Sequence, residues 1–154
     1  MLSTLAEDLT ALVVDVHEMT AAIPIASVVE VVPYAWLTPL PEAPTWVAGV
    51  LDLGGRMIGV LDIGARVRGG AHHPRVEDFI VICRVQQRQV GLCVNAVRNV
   101  ATFPRQAVAP PPADVPFAPY LLGTISHSGS SLLLFGVELL WHASAVPPVS
   151  EGDQ

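Results

Sequence analysis

Short apolar runs, each broken by a polar or glycine pair, recur along the whole chain. Leu12 to Val16 is rich in β-branched residues, His17-Glu18 interrupts it, and Met19 to Ile25 resumes, which predicts a β-hairpin. Trp46 to Leu53 and Arg56 to Ile63 meet at Gly54-Gly55, where glycine's access to positive φ predicts a tight turn. Phe79 to Val85 and Gln89 to Val94 predict a third hairpin around Gln86-Gln87-Arg88, with Asn95 to Val100 following it. Tyr120 to Ser126 and Ser130 to Phe135 predict a fourth around His127-Ser128-Gly129. Ala26 to Val32 reads as one or two helical turns, with Ile25, Val28, Val29 and Val32 on one face and Pro33 as the stop. The prolines from Pro39 to Pro44 and from Pro110 to Pro119 keep both connectors extended. Arg68 to Asp78 reads as a loop and Glu138 to Ala143 as a closing helical turn. Many short strands with glycine turns and little helix indicate an all-β barrel or sandwich.

The pattern also repeats. Displaced by 69 residues, Leu12 to Val31 falls on Val81 to Val100 without a gap, and the polar break His17-Glu18 falls on Gln86-Gln87. Displaced by 74, Gly49 falls on Gly123, Gly55 on Gly129, Ile58 on Leu132 and Val60 on Leu134. Two blocks in the same order predict two pseudo-equivalent β-subdomains sharing a core, since a half of this size has little core of its own. Strands of the first half span about residues 10–66 and those of the second about 79–142, with terminal elements free to exchange. The whole reads as a single domain over residues 10–146, and 147–154 as a flexible tail.

Composition narrows the function. Of 154 residues 51% are apolar and 14% charged, against about 25% charged in an ordinary soluble protein. All eight cationic side chains are arginine, and the net charge is −6. An acidic chain without a basic block lacks the electrostatic footprint for nucleic acid or an anionic membrane. No apolar run approaches the roughly 18 residues of a membrane span, and the acidic start does not read as a signal peptide, so a cytoplasmic protein is expected. So many apolar residues fit either a thick core under a Thr, Ser and Gln surface or a core together with an apolar surface that meets other proteins, and composition alone does not decide between them.

Chemistry is sparse. Phosphate-binding glycine loops, GxSxG and HExxH are all absent from the sequence. His72-His73 lies in a polar loop near Glu77 and Asp78, but a zinc site takes ligands from rigid elements, so these histidines are expected in solvent. Cys83 and Cys93 read as reduced core residues. Asp52 and Asp62 flank the glycine turn and read as turn caps rather than an acid/base couple. No enzyme, cofactor or metal is expected.

The order of these elements resembles the CheW-like chemotaxis coupling-protein family. Ala22-Ile23-Pro24-Ile25 followed by Val28-Val29-Glu30-Val31-Val32 is similar to the family's opening, a strand leading into a short helix with a V-x-E-V/I pattern. Leu40-Pro41 and Ala43-Pro44 match its proline-marked crossing. Gly49 to Ile63 resembles its G-V-(I/V)-N-L-R-G stretch and the strand ending in V/I-D-L. Phe79 to Ile82 with Val90 to Val97 resembles its second-half hairpin, and Tyr120 to Gly123 the approach to its last strands.

The resemblance implies two small five-stranded SH3-like β-barrels on a shared hydrophobic core. It also implies a non-enzymatic adaptor that couples the cytoplasmic tip of a chemoreceptor to the regulatory domain of a histidine kinase, recruited to membrane-associated arrays without entering the membrane. Carried over by position, the protein-interaction residues are Val28, Glu30, Gly49, Asp52, Gly54, Gly55, Arg56, Gly91 and Asn95. Gly91 matches a glycine that lets a partner backbone approach, with plain strand geometry as the alternative. The departures imply a divergent member: Gly54 replaces the motif's arginine, with Arg56 two positions later across the turn, Asn95 replaces an aspartate, and Gly59 a proline. Two alternatives remain open: a paralogue that binds the kinase without coupling receptors, and a β-domain that senses a small molecule or metal.

Overall fold

A computed structural model describes residues 7–142. Eleven strands are present among them: β1 (Leu9–Val16), β2 (Met19–Pro24), β3 (Val28–Pro33), β4 (Val47–Leu53), β5 (Arg56–Asp62), β6 (Phe79–Val85), β7 (Arg88–Val94), β8 (Ala96–Phe103), β9 (Val108–Ala109), β10 (Leu121–His127) and β11 (Ser130–Phe135). Two short helices, α1 (Ile63–Arg68) and α2 (Val137–His142), follow β5 and β11. All four expected hairpins are present. Each turns on two residues, and His17, Gln86, Gly54, Gly55, Ser128 and Gly129 take the positive φ that such turns demand. The tail expected from residue 147 lies outside the described residues.

The strands form two sheets, β8-β1-β2-β11-β10-β9 and β3-β6-β7-β5-β4. Each combines strands from both halves of the chain. Exchanging each strand with its repeat partner (β1 with β6, β2 with β7, β3 with β8, β4 with β10, β5 with β11) converts one sheet order into the other, apart from the two-residue β9. Even the seam repeats: β9 pairs with Thr124 and Ile125, while the isolated bridge from Thr38 meets Val50, which falls on Thr124.

Side-chain alternation then makes three cores. Ala11, Val13, Ala22, Phe103, Ile125, Leu132 and Leu134 fill the first sheet. Leu51, Ile58, Val60, Ile80 and Ile82 fill the second, with Tyr34 packed against them. Between the sheets lies the largest cluster, which takes the opposite faces of the central strands: Leu12, Val14 and Val16 from β1, and Val81, Cys83 and Val85 from β6. The central strands are therefore buried on both faces, which is why they read as unbroken apolar runs. Much of the apolar excess is this joint.

Two sequence expectations are corrected. Val28 to Pro33 is a strand, reached through the short 3-10 turn Ile25–Ser27. Its burial alternates with period two, and antiparallel pairing to β6 suits a run of valines better than a helix does. The second is Ile63, expected to end a strand, which instead opens α1 in a stretch given no element: Asp62 caps the helix by accepting from Ala65 N at 3.0 Å, and Arg66 and Arg68 occupy its last turn.

Candidate functional site

The glycine turn between β4 and β5 is held locally, with the exposed Asp52 accepting from Gly55 N at 2.9 Å. Just past it, Arg56 opens β5 and turns its guanidinium across the sheet. Nη1 donates to Gln89 Oε1 at 2.6 Å and Nη2 to Glu30 Oε2 at 3.2 Å. Three strands distant in sequence are thereby linked at one end of the barrel, and two of the expected interaction residues, Glu30 and Arg56, meet. Gln89 was not foreseen. Both charged side chains are about two-fifths exposed (42% and 41%), so the pair is a partly solvated clamp. Asp62 lies at the other end of the hairpin as the α1 cap, away from Asp52.

Other expected residues face inward. Val28 packs against the shared core. Gly49 is buried at φ 139°, and a Cβ there would stand 2.6 Å from Thr38 O. Gly91 is walled in by Val60 and Ile80, whose Cγ2 atoms would lie 2.9 and 3.0 Å from an added Cβ. Its repeat partner is Ala22, and Ala11 stands where the second sheet has Ile80. One sheet distributes the volume as two alanines, the other as isoleucine plus glycine, so packing accounts for Gly91. Asn95 bridges the two sheets: Oδ1 accepts from His17 N at 2.5 Å, and Nδ2 donates to the buried Asp78 at 3.3 Å.

The exposed large apolar side chains are concentrated. Ile25, Val29, Val31 and Trp36 lie along β3 and the segments flanking it, and Trp36 is 94% exposed. Val76, 85% exposed, lines one groove of about 250 Å³ with Tyr34, Trp36 and Pro74. The repeat of this row on β8 is different, with Arg98 held by Asp15 at 2.8 Å and only Val100 prominently apolar.

Beneath the loop 69–78 lies a polar cluster. His72 is not in solvent, contrary to expectation: its side chain is 10% exposed, its Nδ1 lies 2.6 Å from Asp62 Oδ2, and its Nε2 lies 3.1 Å from Tyr34 Oη. Cys93 Sγ completes a group of three donors with Asp62 and His72. Burial, and then the Asp62 and Asp78 carboxylates, push the Cys93 thiol far up; burial alone pushes Cys83 up to about 12, so both are protonated and inert as nucleophiles at neutral pH. His73 remains exposed.

At the joint between sheets, the Arg66 guanidinium is stacked between Trp46 (4.2 Å) and Tyr120 (4.5 Å). Those aromatics are repeat partners, and their carbonyls accept equivalent bonds from Asp62 N and Gly136 N, at 2.9 and 3.1 Å. Arg66 Nε donates to the carbonyl of Leu140, its own repeat counterpart. This pseudo-twofold contact was also missed; the 74-residue displacement contained the signal.

With this geometry in place, known proteins supply the family. A model described as the CheW-like domain matches residues 10–145. The chain belongs to the CheW-like domain family. Over 75 residues it is 33% identical to the chemotaxis protein CheW of Rhizobium meliloti (strain 1021), covering 49% of this chain and 48% of that relative. Over 88 residues it is 26% identical to the probable chemotaxis protein CheW of Rhizobium etli, covering 57% of each. The matches thus span about half the length of these curated relatives. The crystal structure of the scaffolding protein TtCheW from Thermoanaerobacter tengcongensis shares the fold, with a TM-score of 0.80 at 24% identity over 87% of this chain and 92% of that one. The two-barrel SH3-like architecture expected from the sequence is thereby established. Among the described residues, no helix is long and apolar enough to cross a membrane.

Proposed function

We propose that this CheW-like chain is a non-enzymatic coupling scaffold of a chemosensory array, joining the cytoplasmic tip of a chemoreceptor to the regulatory domain of a histidine kinase. Its relatives are chemotaxis proteins and a scaffolding protein by name. The observation that carries the proposal is the row of exposed apolar side chains Val29, Val31, Trp36 and Val76 along one barrel. An adaptor works through such contacts, on the cytoplasmic side of the membrane where receptor tips lie. Glu30 lies between Val29 and Val31 on β3, and its partner Arg56 opens β5 beside Asp52, Gly54 and Gly55, with the Arg56 clamp in place of an arginine at Gly54. The experiment is a pull-down in which receptor-tip fragment and kinase regulatory domain are offered separately and together. Capture of each, and of both at once, is expected. Capture of the kinase domain alone would instead indicate a paralogue that does not couple receptors.

A further inference from the structure

The repeat identifies what the fold does not require. In the second sheet Tyr34, Asp62, Asp78 and Cys93 surround His72 at one end of the barrel. The positions falling on them in the other copy are Phe103, Gly136, Leu9 and Pro24, none of which carries a titratable group. The four compared positions thus carry hydrocarbon or no side chain in one copy, with the His127 ring packed on Phe103, and a phenol, a thiol and two carboxylates in the other. Polar groups in a half-dry site cost stability unless hydrogen-bonded, and here Tyr34, His72 and Asp62 partner one another, which leaves the Cys93 thiol beside them as a ready donor.

We propose that Cys93 Sγ, His72 Nδ1 and Asp62 Oδ2 form a binding site for a divalent zinc-class ion, with the fourth position left to water. The donor set, one sulfur, one nitrogen and one oxygen, is of the borderline-soft kind that zinc takes with three protein ligands. The donor atoms lie within 4.8 Å of one another, and a tetrahedral ion at about 2.0–2.3 Å holds its donors roughly 3.3–3.8 Å apart. Closing the site draws the donors inward, while Asp62 Oδ2 and His72 Nδ1, now 2.6 Å apart, separate by about 0.7 Å. Two donors rest on rigid elements: Cys93 on β7, and Asp62 at the end of β5, where its other oxygen is anchored by the α1 cap. His72, supplied by the loop, has Tyr34 Oη at 3.1 Å from its Nε2, the outer partner a metal-bound imidazole ordinarily has. Asp62 also lines a polar cleft of about 340 Å³ between the β1–β2 turn and α1. On binding, Cys93 releases its proton to solvent, and the proton held between His72 Nδ1 and Asp62 leaves that nitrogen as the imidazole takes the tautomer whose Nε2–H donates to Tyr34 Oη. The ion would fasten the loop bearing Val76 to the barrel, beside Trp36.

The test is titration of the reduced full-length protein with Co²⁺, followed by optical absorption, together with thermal unfolding with and without Zn²⁺. One equivalent of Co²⁺ is expected to raise a thiolate-to-cobalt charge-transfer band and the intense visible bands of a tetrahedral site. Cys93→Ser should abolish the charge-transfer band and Cys83→Ala should keep it. Tyr34→Phe should keep it while weakening binding by about 10–100-fold. His72→Gln, a change on a loop that leaves the cores intact, should remove the rise in Tm that Zn²⁺ gives the unaltered protein. Absence of the band with excess Co²⁺, a band that survives Cys93→Ser, or an equal Zn²⁺ effect on the His72→Gln protein would overturn the proposal. None of these readouts depends on receptor or kinase binding.

Discussion

Strands β3 and β8 occupy the same place in the two sheets, yet they present different surfaces. The outward row of β3 is Val29, Val31 and Pro33, and the chain leaves it through the bare Trp36. The outward row of β8 substitutes Arg98, tied to Asp15, and Thr102, tied to Thr10, with Val100 between them. Their inward faces behave alike, since Tyr34 and Phe103 fill equivalent corners of equivalent barrels. The two copies therefore agree where packing demands it and differ at the surface. One barrel exposes an apolar row and the other a mostly polar one.

The comparison breaks most sharply inside the barrels. Gly91→Val should destabilise the protein by about 3 kcal/mol in urea unfolding, because the second sheet already uses that volume for Ile80 and Val60. Adding Ile80→Ala should recover a good part of the loss, by restoring the small-residue arrangement of Ala11 and Ala22; simple additivity would contradict equivalent packing. Outside, Trp36→Ala should weaken partner binding by about 2 kcal/mol, roughly thirtyfold, with unchanged stability. Val100→Ala, its control on the other barrel, should change binding by less than about 0.5 kcal/mol. At the joint, Arg66→Ala should cost about 1 kcal/mol of stability, and Arg66→Lys should recover little, because a planar guanidinium fits between two rings as an ammonium does not. Smallest is Arg56→Ala, whose half-solvated pair with Glu30 should cost under about 1 kcal/mol, less in high salt.

How much of this was legible in the sequence depends on the range of the interactions involved. The hairpins were readable because a two-residue turn and alternating side chains are local, and the repeat pointed to the shared core. β3 misread as helix because Ile25, Val28, Val29 and Val32 fit a helical face; only pairing with β6, which joins residues far apart in sequence, decides for a strand. Helix α1 was missed although the displacement that aligned β5 with β11 also sets it on α2. Of the interaction residues, Glu30 and Arg56 were placed near one another by motif, but their shared partner Gln89 follows from tertiary folding alone. His72 was assigned to solvent because loop composition carries no trace of the Asp62 and Tyr34 side chains that cover it.

The most direct measurement is sedimentation or light scattering of the purified chain mixed with a receptor-tip fragment and a kinase regulatory domain. A scaffold that couples the two should form a ternary complex with both partners present, and Trp36→Ala should reduce it while Val100→Ala should not. Failure to bind either partner, or binding that makes the two mutually exclusive, would contradict a coupling role.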